Sequence, residues 1–266
     1  MPATALPISP SLPRTALVTG GARRLGRAIV LALADAGFQV AIHCHASETE
    51  AAALMAEIAA AGGAARVVRA DLTDEAATAT LIQRARDALG GPVGVLVNNA
   101  STFDRDEWDD TTRATWDSHM EPNLRAPFVL MQAMARALPA GADGAVINML
   151  DQRVWSLTPH FVSYTVSKAA LWALTQQMAL ALAPRIRVNA IGPGPALPST
   201  RQTAEQFARQ AGSVPLGHGT SPDEVGRAVL ALLSLRSVTG QMIALDGGQH
   251  LQWAPAGVSN GAGETE

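Results

Sequence analysis

The stretch RTALVTGGARRLGRAIVLALADA, residues 14–36, decides the fold. It opens on β-branched and apolar residues and turns through Thr19-Gly20-Gly21-Ala22-Arg23-Arg24-Leu25-Gly26. Apolar residues then recur at helical spacing. A strand over 14–18, a glycine turn over 20–25 and a helix over 26–36 make the first half of a βαβ unit. Glycine in such a turn lets backbone approach a pyrophosphate, and the N-terminus of the following helix faces it. A glycine pair after a strand also fits a plain tight turn that binds nothing. Its place on the first strand of an alternating chain favours the phosphate-binding reading.

Outward from this turn the same alternation repeats. Strands are expected at 39–44, 65–70, 93–97, 145–150, 186–190 and 242–245. Helices are expected at 47–61, 74–89, 123–138, 162–182 and 222–235, the first opened by a capping box of Ser47 with Glu50. Seven strands separated by helices argue an α/β, doubly wound Rossmann fold: a seven-stranded parallel sheet with helices on both faces. One domain over 14–253 is expected, between flexible tails at 1–13 and 254–266. Residues 192–221, broken by Pro193, Pro195, Pro198 and Pro215, read as a mobile loop on the substrate side.

Composition narrows the function. A net charge of −3 gives no general attraction for nucleic acid. No apolar run reaches the roughly 18 residues of a membrane span. The single cysteine, Cys44, leaves no internal disulfide and suits a cytoplasmic setting. The N-terminus carries four prolines and no basic segment before an apolar stretch, so no signal peptide is read there.

The chain also holds one tyrosine and one lysine, Tyr164 and Lys168, four apart on the helix expected over 162–182. That spacing puts both on one face. An ammonium beside a phenol lowers the phenol's pKa, and a phenol so tuned can deliver a proton as a hydride arrives. A core Tyr with a solvated Lys is the plain alternative. The pair's place in the second half of a dinucleotide-binding chain weighs against it.

The ribose of NAD is usually held by an acidic residue about 20 positions after the turn. Here the second strand ends His43-Cys44-His45-Ala46-Ser47, with no acid before Glu48, while Arg23 and Arg24 sit in the turn itself. That charge arrangement favours the 2′-phosphate of NADP(H). His43-x-His45 places two imidazoles on one strand face. With no third ligand converging on them, no metal is expected.

With these residues assembled, the chain from about 14 to 251 resembles the short-chain dehydrogenase/reductase family. The matching motifs are Thr19-Gly20…Gly26, Asp71-Leu72, Asn98-Asn99-Ala100, Asn123, Tyr164 with Lys168, Gly192-Pro193-Gly194 and Asp246-Gly247-Gly248. The resemblance implies a cofactor cradle of Gly20, Arg23, Leu25 and Gly26, completed by His45, Ala46 and Ser47. It also implies that Asp71 and Leu72 meet the adenine. Asn99, Ala100, Ser101, Pro193 and Gly194 would line the cofactor. Lys168 would bond the nicotinamide ribose, Tyr164 would act as the acid, and Asn123 would hold a proton-relay water.

Two departures sharpen the expectation. Arg24 replaces the middle glycine of the family's turn. Asp151 replaces the family's serine, thirteen residues before Tyr164. A serine hydroxyl donates to a ketone oxygen that gains negative charge, whereas an ionised Asp151 would repel it. A carboxylate suits a donor-rich partner, such as the 2-aminopyrimidinone edge of a pterin or folate. Both departures are similar to those of pteridine and dihydromonapterin reductases, as is Asn99-Ala100-Ser101-Thr102-Phe103. That likeness implies that Ser101 contacts the substrate, that Phe103 stacks it against nicotinamide, and that Arg24 touches both cofactor phosphate and pterin. At the end of the second strand Ala46 stands where those enzymes usually carry Arg.

The expectation is therefore an NADPH-dependent reductase of a pterin or folate-like C=N bond, acting as a homotetramer. A generic carbonyl or 3-oxoacyl reductase of the same family is the first alternative. A non-catalytic NADP(H)-binding regulator is the second. Trp108, Trp116 and Trp155 fit either pocket wall or core.

Overall fold

The computed structural model describes residues 7–199 and 201–252. Its seven strands are β1 Thr15–Val18, β2 Gln39–Cys44, β3 Ala65–Arg69, β4 Val95–Asn98, β5 Gly144–Met149, β6 Ile186–Pro193 and β7 Met242–Leu245. They form one parallel sheet in the order β3-β2-β1-β4-β5-β6-β7. The inner strand β1 has Val18 opposite Ile42 on one side and Val97 on the other. The chain winds outward from β1 through β2 and β3, then crosses back to β4. The switch between β1 and β4 opens a crevice at the carboxyl ends of the strands, where ligands bind in such sheets.

Helices α1 Arg24–Asp35, α2 Glu48–Ala60 and α3 Glu75–Leu89 follow the first three strands. A helical run follows β4: α4 Arg113–Met120, a π-helical turn Glu121–Arg125, and α5 Ala126–Ala137. Then come α6 Val162–Leu182, α7 Ala204–Gly212 and α8 Pro222–Ser234. Alternation along each strand divides the core in two. Ala16, Val18, Val40 and Ile42 face Ile29, Leu33, Leu54, Ile58 and Val229 of α1, α2 and α8. Leu17, Ala41, Leu96 and Val146 face Leu81, Leu130, Met131 and Met178 of α3, α5 and α6. With both faces covered, β1 and β4 are buried throughout and read as unbroken apolar runs.

Four expectations change. Residues 7–13, expected as tail, are fastened to the body. Ile8 and Leu12 join the first core cluster, and Ser9 Oγ donates to Asp143 Oδ2 at 2.6 Å. The rest of the expected tails, 1–6 and 254–266, lies outside the described residues. Within 192–221, β6 runs on to Pro193, and α7 forms behind a capping box of Thr203 and Gln206. Ser47 does precede α2, but its hydroxyl caps nothing, because its backbone (φ −94, ψ 49) is not the extended one that aims an N-cap side chain at the first turn. Asn123 does not start a helix. It lies in the π turn of a run begun ten residues earlier at Arg113, where Pro122 has no N–H for a regular i to i−4 bond.

Candidate active site

The carboxyl ends of the strands surround a cleft of about 630 Å³. Its floor is the glycine turn. Thr19 Oγ accepts from the backbone N–H groups of Asn99 (2.9 Å) and Ala100 (3.0 Å), and Asn99 Nδ2 donates to the carbonyls of Thr19 and Gly20. These bonds tie the end of β1 to the end of β4. Gly20 has a left-handed φ of 59°, and a Cβ on Gly26 would lie 2.1 Å from the Gly20 carbonyl oxygen. Only glycine at 26 lets the start of α1 press against the turn and leave its amide end open to a phosphate.

Residue 43 completes this floor. Gly20 N–H donates to His43 Nδ1 at 3.1 Å, so the ring's proton sits on Nε2, which donates to Ala70 O at 3.2 Å. Burial lowers the His43 pKa to about 4, which keeps the ring neutral. The sequence reading of His43-x-His45 as a strand-face pair is therefore corrected. His43 is a buried backbone clamp, while His45 lies beyond the end of β2, 3.7 Å from Asp71. Among the described residues no three His, Cys, Asp or Glu side chains gather to hold a metal. A histidine inside the apolar run of β2 was the signal available for this role.

Around the floor, Arg23, Leu25, Ala46, Ser47, Asp71, Leu72, Ser101, Pro193 and Gly194 all line the cleft. The Asp71 carboxyl is held low by Thr73, whose N–H and hydroxyl both donate to Oδ1. Arg24 lines the cleft too, on a left-handed backbone (φ 51), and its guanidinium donates to the carbonyls of Pro198 (2.9 Å) and Leu197 (3.5 Å). The sequence singled out neither Ala196 nor Leu197, yet both line the cleft.

The chemical end lies between β5 and α6. Tyr164 Oη donates to Asp151 Oδ2 at 2.9 Å, and Asp151 Oδ1 accepts from Arg153 N–H at 2.8 Å. Lys168 is buried, donates to Met149 O at 2.9 Å, and sits 5.8 Å from the centre of the Tyr164 ring. Burial lowers its pKa to about 8, with the charge of Asp151 pulling the other way. Phe103 meets the Tyr164 ring edge-on at 4.6 Å and stacks on Phe161 at 4.7 Å. Asn123 is the one expected site residue that does not line the cleft. It is fully buried, with Oδ1 accepting from Thr102 N–H and Nδ2 donating to Thr102 O and Ser167 Oγ. Its amide is committed to the loop after β4. Trp108, Trp116 and Trp155 do not line the cleft either, and Trp108 is 83% exposed.

A family model described as enoyl-(acyl carrier protein) reductase matches residues 20–250. The chain belongs to the short-chain dehydrogenase/reductase family. It is thus an oxidoreductase enzyme with the Rossmann-type sheet and the nicotinamide dinucleotide cofactor of that family. Among solved structures it is similar to FolM alternative dihydrofolate reductase 1 of Brucella canis, complexed with NADP. That match has 49% identity and a TM-score of 0.89, over 94% of this chain and 100% of the other. The Brucella suis FolM structure, also with NADP, gives 52% identity and a TM-score of 0.88, over 91% and 97% of the two chains. L-xylulose reductase of Bos taurus is 36% identical over 88% of this chain and 96% of its own length.

Proposed function

We propose that this short-chain reductase uses NADPH to reduce the C=N bond of a dihydropterin or dihydrofolate to the tetrahydro form. The observation that carries the proposal is the Asp151 carboxylate, hydrogen-bonded to Tyr164 at the mouth of a dinucleotide cleft. Each Asp151 oxygen has one partner here, and each keeps a second lone pair. The side chain can therefore accept the adjacent ring N–H and amino donors of a pterin without losing either contact. The similarity to two NADP-bound FolM structures supports both substrate class and cofactor.

The glycine turn fits the pyrophosphate of the cofactor, because Gly20 and Gly26 leave the space that side chains would fill. Gly20, Arg23, Leu25 and Gly26 would hold the phosphates and His45, Ala46 and Ser47 the 2′-phosphate end. Asp71 and Leu72 would meet the adenine, and Asn99, Ala100, Pro193 and Gly194 the middle. With the dinucleotide bound there, a hydride would be available to the carbon of the C=N bond. Tyr164 would supply a proton to the nitrogen and regain one from solvent, while the Asp151 carboxylate accepts from Tyr164 and from the donor edge of the ring. Lys168 would turn from Met149 O to the ribose, its ammonium favouring a phenol that gives up its proton. Phe103 and Ser101 would hold the substrate ring, with Arg24 at its phosphate side.

A carbonyl reductase of the same family is the alternative, and the L-xylulose reductase relative favours it. NADPH oxidation followed with 7,8-dihydrobiopterin, dihydromonapterin, dihydrofolate and an acetoacetyl thioester separates the two. Turnover of at least one dihydropterin is expected, with Asp151→Ser lowering its kcat/KM by roughly 10- to 100-fold, the worth of a charge-assisted contact. Thioester turnover with no dihydropterin activity, improved by Asp151→Ser, would overturn the proposal. We also propose a cytoplasmic homotetramer formed through the helices that carry Asn123 and Tyr164. Leu180, 80% exposed on α6, gives that surface an apolar contact.

A further inference from the structure

The loop after β4 carries Phe103, and three buried side chains hold it from behind at alternate residues. Asn123 takes both the N–H and the C=O of Thr102. His119 Nε2 accepts the N–H of Asp104 at 3.0 Å. The Asp106 carboxylate, itself buried, accepts Ser163 N–H and the Ser163 hydroxyl at the start of α6. These last two anchors are joined. With Nε2 accepting, the His119 proton sits on Nδ1 and is donated to Ser163 Oγ at 2.7 Å, and Ser163 donates onward to Asp106. Along this line His119, Ser163 and Asp106 are buried, while Asp104 at its start is exposed. Its ring also meets the edge of Tyr164 at 6.0 Å. Between the anchored residues, Phe103 is left to face the cleft and Tyr164.

We propose that His119 is a positioning residue for the reaction. As a neutral imidazole bridging α6 and the loop after β4, it fixes the aromatic surface of Phe103 beside Tyr164 and so sets affinity for a planar substrate ring. This rests on reading the Phe103 side of the cleft as the substrate end. Burial lowers the His119 pKa and keeps the ring in the uncharged form that can accept from Asp104. His119 touches neither cofactor nor reacting atoms. It acts through the loop.

Two substitutions separate its two bonds. His119→Gln can keep the acceptor toward Asp104, and His119→Asn can keep only the donor toward Ser163. The chain's five phenylalanines permit labelling with 4-fluorophenylalanine, the Phe103 signal being the one lost in Phe103→Leu. In the cofactor-free enzyme, the Phe103 fluorine signal should match wild type in His119→Gln and shift or broaden in His119→Asn. In turnover, His119→Asn should raise KM for the dihydropterin about 10-fold with kcat changed less than about 2-fold, the pattern of lost uniform binding. In a Phe103→Leu background the same substitution should raise KM no further. Should His119→Asn fail to fold, His119→Leu fills the same space without an acceptor toward Asp104 and should move the fluorine signal in the same way. An unmoved Phe103 signal in all variants, or fully additive KM effects, overturns the proposal. If wild type turns over no dihydropterin, the functional reading fails on its own. The fluorine measurement, which needs no substrate, still decides the role of His119.

Discussion

At the scale of single residues, Lys168 is the one ammonium side chain of the sequence, and it is buried. Taking an ammonium out of water costs free energy unless partners replace it, and here the carbonyl of Met149 accepts its hydrogen bond. The pKa falls from 10.5 to about 8. Below pH 8 both folded and unfolded chains hold the proton, and the burial cost is felt in full. As pH rises from about 8 toward 10.5 the folded chain gives up its proton first, so stability grows. Denaturant unfolding of the cofactor-free protein at pH 7.5 and pH 10 should show wild type gaining about 2 kcal/mol relative to Lys168→Met, by the usual conversion of pKa shift to free energy. An unchanged difference between the two proteins would contradict this burial effect. The four-residue spacing of Lys168 from Tyr164 was legible in the sequence and its burial was not; His43 offered only its place in an apolar strand, and Phe161 and His119 carried no pattern at all. Their roles depend on partners far away in sequence: a turn at Gly20, a ring at Phe103 and an amide at Asp104.

Elements were legible where they bury a periodic apolar face. All seven strands and six of the helical segments, counting 123–138, stood out for that reason. α7 did not, because it buries no residue, although Thr203 and Gln206 spelled its capping box. α4 was missed too, its only buried residue being His119, which breaks no apolar pattern because it belongs to none. Ser47 shows the converse: residue types that fit a capping box, with backbone angles that prevent it. The glycine turn is the element on which most depends. Gly26→Ala would drive a methyl to 2.1 Å from the Gly20 carbonyl oxygen, so turn and helix must part. Overpacking of this kind costs about 1–3 kcal/mol. Dinucleotide affinity, read by NADPH fluorescence, should fall about 100-fold, the equivalent of about 3 kcal/mol. Unaltered binding would mean that the turn does not hold the pyrophosphate.

For the whole molecule, topology does most of the positioning. The switch between β1 and β4 opens the crevice, and β4, β5 and α6 deliver Phe103, Asp151 and Tyr164 to one wall of it. Sequence alternation foresaw that sheet, but not that residues 7–13 would pack at the amino end of its inner strands through Ile8, Leu12 and Ser9. The lone lysine has a further consequence here. An endoprotease that cuts after lysine has one target in the chain, and that target is buried in the middle of α6. Cleavage at Lys168 requires the surrounding core to open, since a protease needs an extended, exposed strand of substrate. Digestion of the native enzyme should therefore yield two fragments, 1–168 and 169–266, at a rate set by the population of opened molecules, and a bound dinucleotide should slow it. Fast cutting unaffected by NADPH would show that α6 frays by itself. The residue that would serve the nicotinamide ribose thus doubles as a one-site clock of global unfolding, readable on a gel without any label.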